Sequence, residues 1–476
     1  MARLTAGTAR MASASALRQV LSTGLLAVTA AVVARCLGPR NFGEYAGGTA
    51  AFNLTGSLTD LGFSLVLVRE MTHRPDDRGR LMGAGIQSQL VWSLVLTGSL
   101  LIGGITAGGT RGAVMLALCP AVALSGLGVA RQIFGVRFQA TPLLVLDVST
   151  NVLQCLVMIA LALAHAPVVL LALNMSFFSC ATGALALVLA RKVIRIRLAA
   201  RPEVLRFLRM ALPIGFASVL ASLYFTIDQT LLGWLVSPPA LGRYAVAVRL
   251  LTVVVMVPGF VMVAAVPGLA QTAADRIQLS RFASTVSHWI AVTALPLGAG
   301  VAIFAQPVIL LLFGRSYLGA VPIVRILMLA AGLSFVSNVL GITLMTLSIV
   351  RPQILFNSLG LIVNVVGNIV LVPRYGILAS AWLTVLCEGI AVSYSVVALR
   401  KRLAYRAIVA QLWRPIAAVG IGAAWGELLV GDGILAILSA GAVFLGAMTA
   451  LRAWPELLSQ IVRGRLGRWF VPGDAS

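Results

Sequence analysis

Long apolar stretches, separated by short polar turns, run through almost the whole chain. A membrane-spanning helix needs about 20 predominantly apolar residues to cross the hydrocarbon core of a bilayer. We identify 14 such stretches, near residues 16–36, 45–67, 84–108, 112–130, 141–164, 167–190, 210–236, 244–269, 285–312, 322–346, 353–373, 377–399, 411–430 and 434–453. With 60% hydrophobic and 11% charged residues, the chain has too little polar surface for a water-soluble fold. The sequence therefore predicts an all-α, polytopic membrane protein of about 14 transmembrane helices.

The loop charges predict the orientation of these helices. When the spans are threaded alternately, 28 of the 36 Lys and Arg residues fall on one side, 7 fall on the other and Arg249 lies within a span. Cytoplasmic loops carry the excess of positive charge, so both termini are expected in the cytoplasm and the protein in the plasma (inner) membrane. The basic run 191–209 is interpreted as a topology anchor, with binding of anionic lipid headgroups as the alternative. The net charge of +22 does not indicate a nucleic-acid partner, because the arginines lie at the ends of apolar stretches.

Two loops of the chain match at a constant offset of 199 residues. The matched pairs are Pro39/Pro238, Gly43/Gly242, Tyr45/Tyr244 and Ala46/Ala245. Six spans lie between the copies, and an even number gives both copies the same orientation in the membrane. The pattern predicts two parallel six-helix repeats, a class of architecture in which transporters bind their substrate between the halves. The expected organisation is an N-terminal lobe over 1–190, a basic cytoplasmic linker over 191–209, a C-terminal lobe over 210–400, and two extra helices with a basic tail over 401–476.

The same loops carry a family resemblance. Leu37-Gly38-Pro39, Phe42-Gly43-Glu44-Tyr45 and Asp60-Leu61-Gly62 resemble the N-terminal signature of polysaccharide-biosynthesis flippases, the O-antigen (Wzx-type) group. The second half agrees at Leu212-Pro213, Phe313-Gly314-Arg315-Ser316-Tyr317 and Tyr375-Gly376, and the resemblance covers roughly residues 10–400. The two C-terminal spans lie beyond the 12 spans at which members of this family end.

This resemblance implies the fold of the multidrug/oligosaccharidyl-lipid/polysaccharide exporter superfamily. It also implies alternating access between inward-open and outward-open states, and a substrate that is an oligosaccharide on polyprenyl pyrophosphate. The implied partners are this lipid-linked oligosaccharide, membrane lipids and the polysaccharide polymerase machinery.

Ionisable side chains within the apolar stretches are the candidate functional residues, because a charge at a helix centre costs roughly 2.5–3.5 kcal/mol on insertion scales. Asp228 and Arg249 are each six residues from the outer end of adjacent spans, measured from Trp234 and Arg243. We expect them to face each other at the outer mouth of the cavity. Arg249 would bind phosphate through its forked guanidinium, and Asp228 would hold that guanidinium when no substrate is bound. A static interhelical pair is the alternative.

The other candidates divide into substrate-binding and gating residues. Asp147 and Asn151, one helical turn apart, predict a polar cavity wall. Arg18 and Arg35 flank the first span, where snorkelling to the membrane interface is the alternative to substrate binding. Asp60 is assigned a role in a gate or a turn, and Glu388 a role in coupling, with a neutral hydrogen-bonded carboxyl as the alternative for Glu388.

Two other functional classes are alternatives to a flippase. A cation-coupled multidrug and toxin-extrusion antiporter shares the 12-helix plan, and Asp228 and Asp147 favour it. A membrane glycosyltransferase or polymerase usually has a large external loop, and every predicted external loop here is short. No enzymatic activity, cofactor or metal site is predicted, since the histidines are far apart and no phosphate-binding glycine loop precedes a soluble helix.

Overall fold

Helices are the only regular elements in residues 2–136, 140–428, 434–451 and 453–455, which the computed structural model describes. The helices, with two 3-10 segments η1 and η2, are α1 (Ala2–Asp60), α2 (Phe63–His73), α3 (Arg78–Ala107), α4 (Gly109–Ala123), η1 (Ser125–Arg131), α5 (Gln132–Val136), α6 (Ala140–Leu163), α7 (Val168–Val193), α8 (Arg201–Leu235), α9 (Pro238–Thr272), α10 (Arg276–Ile303), α11 (Ala305–Leu312), η2 (Arg315–Ala320), α12 (Val321–Thr346), α13 (Val350–Tyr375), α14 (Ile377–Leu399), α15 (Tyr405–Leu428) and α16 (Ile434–Ala450).

The predicted transmembrane architecture is confirmed. Ten segments in the described ranges are long and apolar enough to cross a membrane. The pair Gly109–Ala123 and Ser125–Val136, bent by 41°, makes eleven if it is counted as one span. The 59-residue α1 contains the first predicted span and most of the second, α8 corresponds to the seventh, and the 17-residue α16 to the fourteenth. The chain is therefore a multi-pass membrane protein.

The connection between the first two spans differs from the expected polar loop. Gly38 has φ 69 and ψ 171, and Pro39 follows it directly as helix resumes. A positive φ is accessible to glycine, and proline is favoured in the first turn of a helix because it needs no hydrogen-bond donor there. The Gly-Pro pair thus breaks α1 at one residue rather than through a loop.

The chain divides into two compact units, and the first comprises residues 1–249, 312–320 and 357–383. One of its core clusters packs α2, α3, η1, α5 and α8 around Phe63, Leu67, Ile133, Phe134 and Phe207. The rings of Phe63 and Phe207 stack with centroids 6.3 Å apart. These contacts bury apolar side chains from five of the predicted spans.

The two sequence repeats contact each other within this unit. A Cβ added to Gly43 would overlap the carbonyl oxygen of Pro238, and a Cβ added to Gly242 would overlap that of Pro39. The contacts are reciprocal, because the glycine of each copy meets the proline of the other. Glycine is required at both positions since only a residue without a side chain allows this backbone approach. The repeat in the sequence therefore corresponds to a repeated contact in the fold.

The second unit comprises residues 250–311, 321–356 and 384–476. The extra helix α15 packs along α10, and both ring nitrogens of His288 on α10 contact carbonyl oxygens, of Gln411 at 3.1 Å and Ala453 at 2.9 Å. The Ser284 hydroxyl adds a bond to the Gln411 side-chain oxygen at 2.8 Å. The two C-terminal helices are thereby part of a packed unit. The boundaries of the predicted lobes, 1–190 and 210–400, stay a prediction.

The basic linker is fixed to the start of α3. The backbone N–H of Arg197 donates to the carbonyl of Gly79 at 3.1 Å, and that of Ala199 to the Gln87 side chain at 2.8 Å. A Cβ on Gly83 would overlap the Arg197 carbonyl oxygen. Linker residues 194–200 form no regular secondary structure, and α8 begins at Arg201.

Candidate functional site

Asp228 on α8 is the acceptor of a small hydrogen-bond network. Its Oδ2 accepts from the Tyr244 hydroxyl at 2.8 Å, and its Oδ1 accepts from the Gln229 backbone N–H at 2.7 Å. The Ser380 hydroxyl donates to the Tyr244 oxygen at 3.3 Å. Tyr244, the tyrosine of the second repeat copy, is fully buried. A carboxylate with two such donors is compensated by hydrogen bonds to neighbouring groups.

Arg249 does not pair with Asp228, so the predicted contact between the two side chains is absent. Among the described residues no ion pair includes Arg249, and its side chain is exposed. The reason lies in the helical period. Tyr244 and Arg249 are five residues apart on α9, which separates their side chains by about 140° around the helix axis. A carboxylate that meets Tyr244 therefore lies away from Arg249.

Arg249 instead lies within electrostatic range of Tyr45, the tyrosine of the first repeat copy. Tyr45 is buried on α1, its hydroxyl contacts the sulfur of Met175 at 4.0 Å, and it lies near Cys155. The exposed guanidinium of Arg249 is therefore a cation that a ligand can reach.

Asp147 and Asn151 contact different partners from one face of α6. Asp147 Oδ1 lies 3.8 Å from Arg131 Nη2, and its side chain is 9% exposed. The Asn151 amide donates to the Ser22 hydroxyl on α1 at 3.3 Å. The predicted role of both residues in a substrate cavity stays a prediction, while these contacts give each a structural partner.

Of the two arginines that flank the first span, only Arg35 has a described side chain. Arg35 is exposed on α1, three residues before the break at Gly38. The side chain of Arg18 lies outside the described residues, although its backbone belongs to α1. Their assignment to substrate binding stays a prediction.

The two predicted gating or coupling carboxylates are both hydrogen-bonded. Glu388 on α14 is 7% exposed and accepts from Ser337 at 2.8 Å and from Ser334 at 3.4 Å, both on α12. Asp60 closes α1, and its Oδ1 accepts from the Ser64 hydroxyl at 2.6 Å and the Ser64 N–H at 3.2 Å. Asp60 therefore fixes the turn between α1 and α2, and Glu388 joins α12 to α14.

Sequence reasoning missed two arginines that form ion pairs. Arg131 pairs with Asp147, and Arg111 Nε lies 3.5 Å from Glu44 Oε2. Both were counted only as loop charges in the orientation argument. Polar residues inside the apolar stretches, such as Gln89 in the third span, were the available signal for the region around Arg131.

Comparison with known proteins defines the class of this fold. The chain matches the structure of the lipid II flippase MurJ in an inward closed conformation, with a TM-score of 0.77, 12% identity, and coverage of 94% of this chain and 98% of that one. It also matches an inward-facing multidrug resistance MATE family transporter of the MOP superfamily, with a TM-score of 0.63, 13% identity, and coverage of 83% and 98%. A MOP superfamily transporter from Pyrococcus furiosus matches with a TM-score of 0.55, 12% identity, and coverage of 83% and 95%. The chain therefore shares the fold of these proteins.

The amino-acid sequence, compared with models of protein families, identifies the family of this protein. Residues 9–273, more than half of the chain, match the model of the family described as polysaccharide biosynthesis protein. The chain belongs to this family. A comparison with curated proteins gave no match.

Proposed function

We propose that this protein is a flippase that moves a lipid-linked oligosaccharide, carried on polyprenyl pyrophosphate, from the cytoplasmic to the outer leaflet by alternating access. Membership of the polysaccharide biosynthesis family and a fold shared with a lipid II flippase support this class of substrate. The proposed setting is the plasma (inner) membrane with both termini in the cytoplasm, and the product would pass to the polysaccharide polymerase machinery.

The exposed guanidinium of Arg249 carries the proposal. Within the described part of the chain it forms no ion pair with a carboxylate, although a charged group in a membrane helix is costly. Such a group is retained when it meets a ligand, and a guanidinium matches the oxygens of a pyrophosphate through two parallel N–H donors. A cation at this position favours an anionic substrate over the cationic substrates of an antiporter. The chemistry is binding and release, so no covalent step and no enzymatic activity is proposed.

The experiment compares Arg249→Ala, Arg249→Lys and the control Arg325→Ala in proteoliposomes. A polyprenyl-pyrophosphate-linked oligosaccharide is loaded in one leaflet, and its appearance in the other leaflet is measured by lectin binding. We expect Arg249→Ala to slow translocation at least tenfold, which corresponds to about 1.4 kcal/mol, within the range of a charge-assisted hydrogen bond. Arg249→Lys should be intermediate because it keeps the charge but loses the fork. Arg325, which is exposed on α12, should tolerate alanine.

The antiporter alternative is tested in the same vesicles. Cation-driven export of an organic dye by the wild-type protein, without translocation of the lipid-linked sugar, would overturn the proposal. Full translocation by Arg249→Ala would remove its central residue.

A further inference from the structure

The end of α7 and the linker that follows it form a positively charged surface. Its five basic residues are all exposed, and they are Arg191, Lys192, Arg195, Arg197 and Arg201. We call these residues the basic strip. No acidic residue lies between positions 191 and 201. Among the described residues, no ion pair includes a member of the strip.

The carboxylates of the neighbouring helices face arginines outside the basic strip. Glu203 on α8 lies 3.2 Å from Arg80, and Glu70 on α2 lies 3.8 Å from Arg74. Asp77 lines a small pocket together with these two arginines. The positive charge of the basic strip is therefore not neutralised by an ion pair within the described part of the chain.

The backbone of the basic strip is seated on the first turns of α3. A Cβ added to Gly79 would overlap the carbonyl oxygen of Arg195, and a Cβ added to Gly83 would overlap that of Arg197. These glycines are four residues apart, so they lie on one face of the helix. Ile194 and the other half-buried side chains of this segment pack against the core cluster, while the arginines stay exposed. The strip is therefore a fixed surface rather than a free loop.

The basic strip lies where two membrane-spanning helices end. It begins in the last turn of the span Val168–Val193 and contacts the first turns of the span Arg78–Ala107. The ends of spanning helices lie in the headgroup region of the bilayer. Leu198, within the strip, is 84% exposed. Such an apolar side chain is stabilised when it leaves water for the acyl chains of a neighbouring lipid.

We propose that the basic strip binds the phosphate groups of anionic phospholipids, with Leu198 inserted between their acyl chains. Basic side chains beside a bilayer attract anionic lipids, and a guanidinium matches phosphate oxygens through two parallel N–H donors. An apolar side chain among basic ones is the combination with which peripheral segments bind a membrane interface. The proposal goes beyond the proposed function, because it holds whichever substrate the protein transports.

The first test separates a lipid site from a topology anchor, since an anchor acts during insertion and has no effect on a purified protein. Native mass spectrometry of the full-length protein in detergent measures the binding of dioleoylphosphatidylglycerol, which is anionic, and of dioleoylphosphatidylcholine, which is zwitterionic. The strip variant is Arg195→Gln/Arg197→Gln, which leaves the backbone contacts with α3 intact. The matched control, Arg276→Gln/Arg281→Gln, removes the same charge from exposed residues at the start of α10.

We expect the wild type to bind phosphatidylglycerol at least tenfold more tightly than phosphatidylcholine. The strip variant should bind phosphatidylglycerol about 25-fold more weakly, about fivefold for each arginine, and the control should change by less than about twofold. Binding of phosphatidylcholine should be equal in all three proteins. The proposal is overturned by equal binding of the two lipids to the wild type, by unchanged binding in the strip variant, or by the same loss in the control.

Two further measurements identify the ligand and test the fixed seat. An excess of glycerol phosphate, the soluble headgroup, should not displace phosphatidylglycerol, and Leu198→Asn should weaken lipid binding at least threefold. Full displacement, or no effect of Leu198→Asn, would mean a site for free phosphate and would overturn the lipid proposal. Gly83→Ala keeps every charge but obstructs the Arg197 carbonyl, so its monodisperse fraction should bind phosphatidylglycerol at least fivefold more weakly. Wild-type binding by Gly83→Ala would refute a fixed strip and leave only diffuse attraction by net charge.

Discussion

The reciprocal contact of the two repeat loops gives a quantitative test of the fold. Gly43→Ala would place a methyl group on the carbonyl oxygen of Pro238, and Gly242→Ala would place one on that of Pro39. The obstructing atoms are backbone, so relief requires a shift of the helix ends rather than a change of rotamer. Overpacking of this kind costs about 1–3 kcal/mol, and we expect each alanine to destabilise the protein by about 2 kcal/mol.

The control for this prediction is a helical glycine with free space around it. Gly332 lies within α12, and an added Cβ there would have no neighbour within 4 Å. Gly332→Ala should stabilise the protein by about 0.5–1 kcal/mol through the lower entropy of the unfolded chain. The double variant Gly43→Ala/Gly242→Ala should lose less than the sum of the single variants, since the shift that accommodates one methyl group opens space for the other.

The assay is thermal unfolding of purified protein in detergent, followed by size-exclusion chromatography. The expected order of melting temperature is Gly332→Ala, wild type, then either loop variant. If both loop alanines melt at or above the wild-type temperature, the close approach of the two repeat copies is refuted, and with it our account of why both copies carry glycine.

Three further predictions concern buried or half-buried polar groups. Tyr244→Phe removes a hydrogen bond donated to Asp228, and we expect a loss of about 1.5–3 kcal/mol in thermal or denaturant unfolding; an unchanged stability would mean that this bond is dispensable. Glu388→Gln keeps the size and an acceptor for Ser337, so stability should stay near wild type, while transport measured against pH should lose its pH dependence; a retained pH profile excludes Glu388 from coupling. Burial raises the pKa of Tyr405 to about 12, above the unfolded value of about 10. Its neutral form therefore stabilises the fold fully below about pH 10, and this contribution is lost as the pH rises through the folded pKa. Tyr405→Phe should lose less stability than the wild type between those pH values, and an equal loss would refute a contribution from this phenol.

Much of the architecture could be predicted because it depends on local physics. A helix in a bilayer must be apolar over about 20 residues, so the spans are visible in the sequence one by one. The offset of 199 residues between Tyr45 and Tyr244 indicated the parallel repeats without any coordinates. The positions of the interhelical side-chain contacts were less accessible, because they depend on rotation about each helix axis as well as on depth.

Arg249 illustrates this limit. Its depth in the span was estimated from its distance to the helix end, and that depth suggested a contact with Asp228. Because of the rotation of α9 about its axis, Tyr244 contacts Asp228, and Arg249 forms no ion pair with it among the described residues. The depth of a residue along a span does not specify how the helix is rotated about its axis. The contact of Arg131 with Asp147 was equally invisible, since Arg131 was counted as an ordinary loop charge.

The sequence by itself determined that the chain is helical and crosses the membrane many times. It did so because hydrophobic length and loop charge are additive properties of short segments. Only the tertiary structure decided which polar groups meet: Asp228 with Tyr244, Glu388 with Ser337, and Gln89 with Ser125 and Arg131 around one cavity. These contacts depend on where each helix bends and on its rotation about its own axis. No local sequence pattern specifies either property.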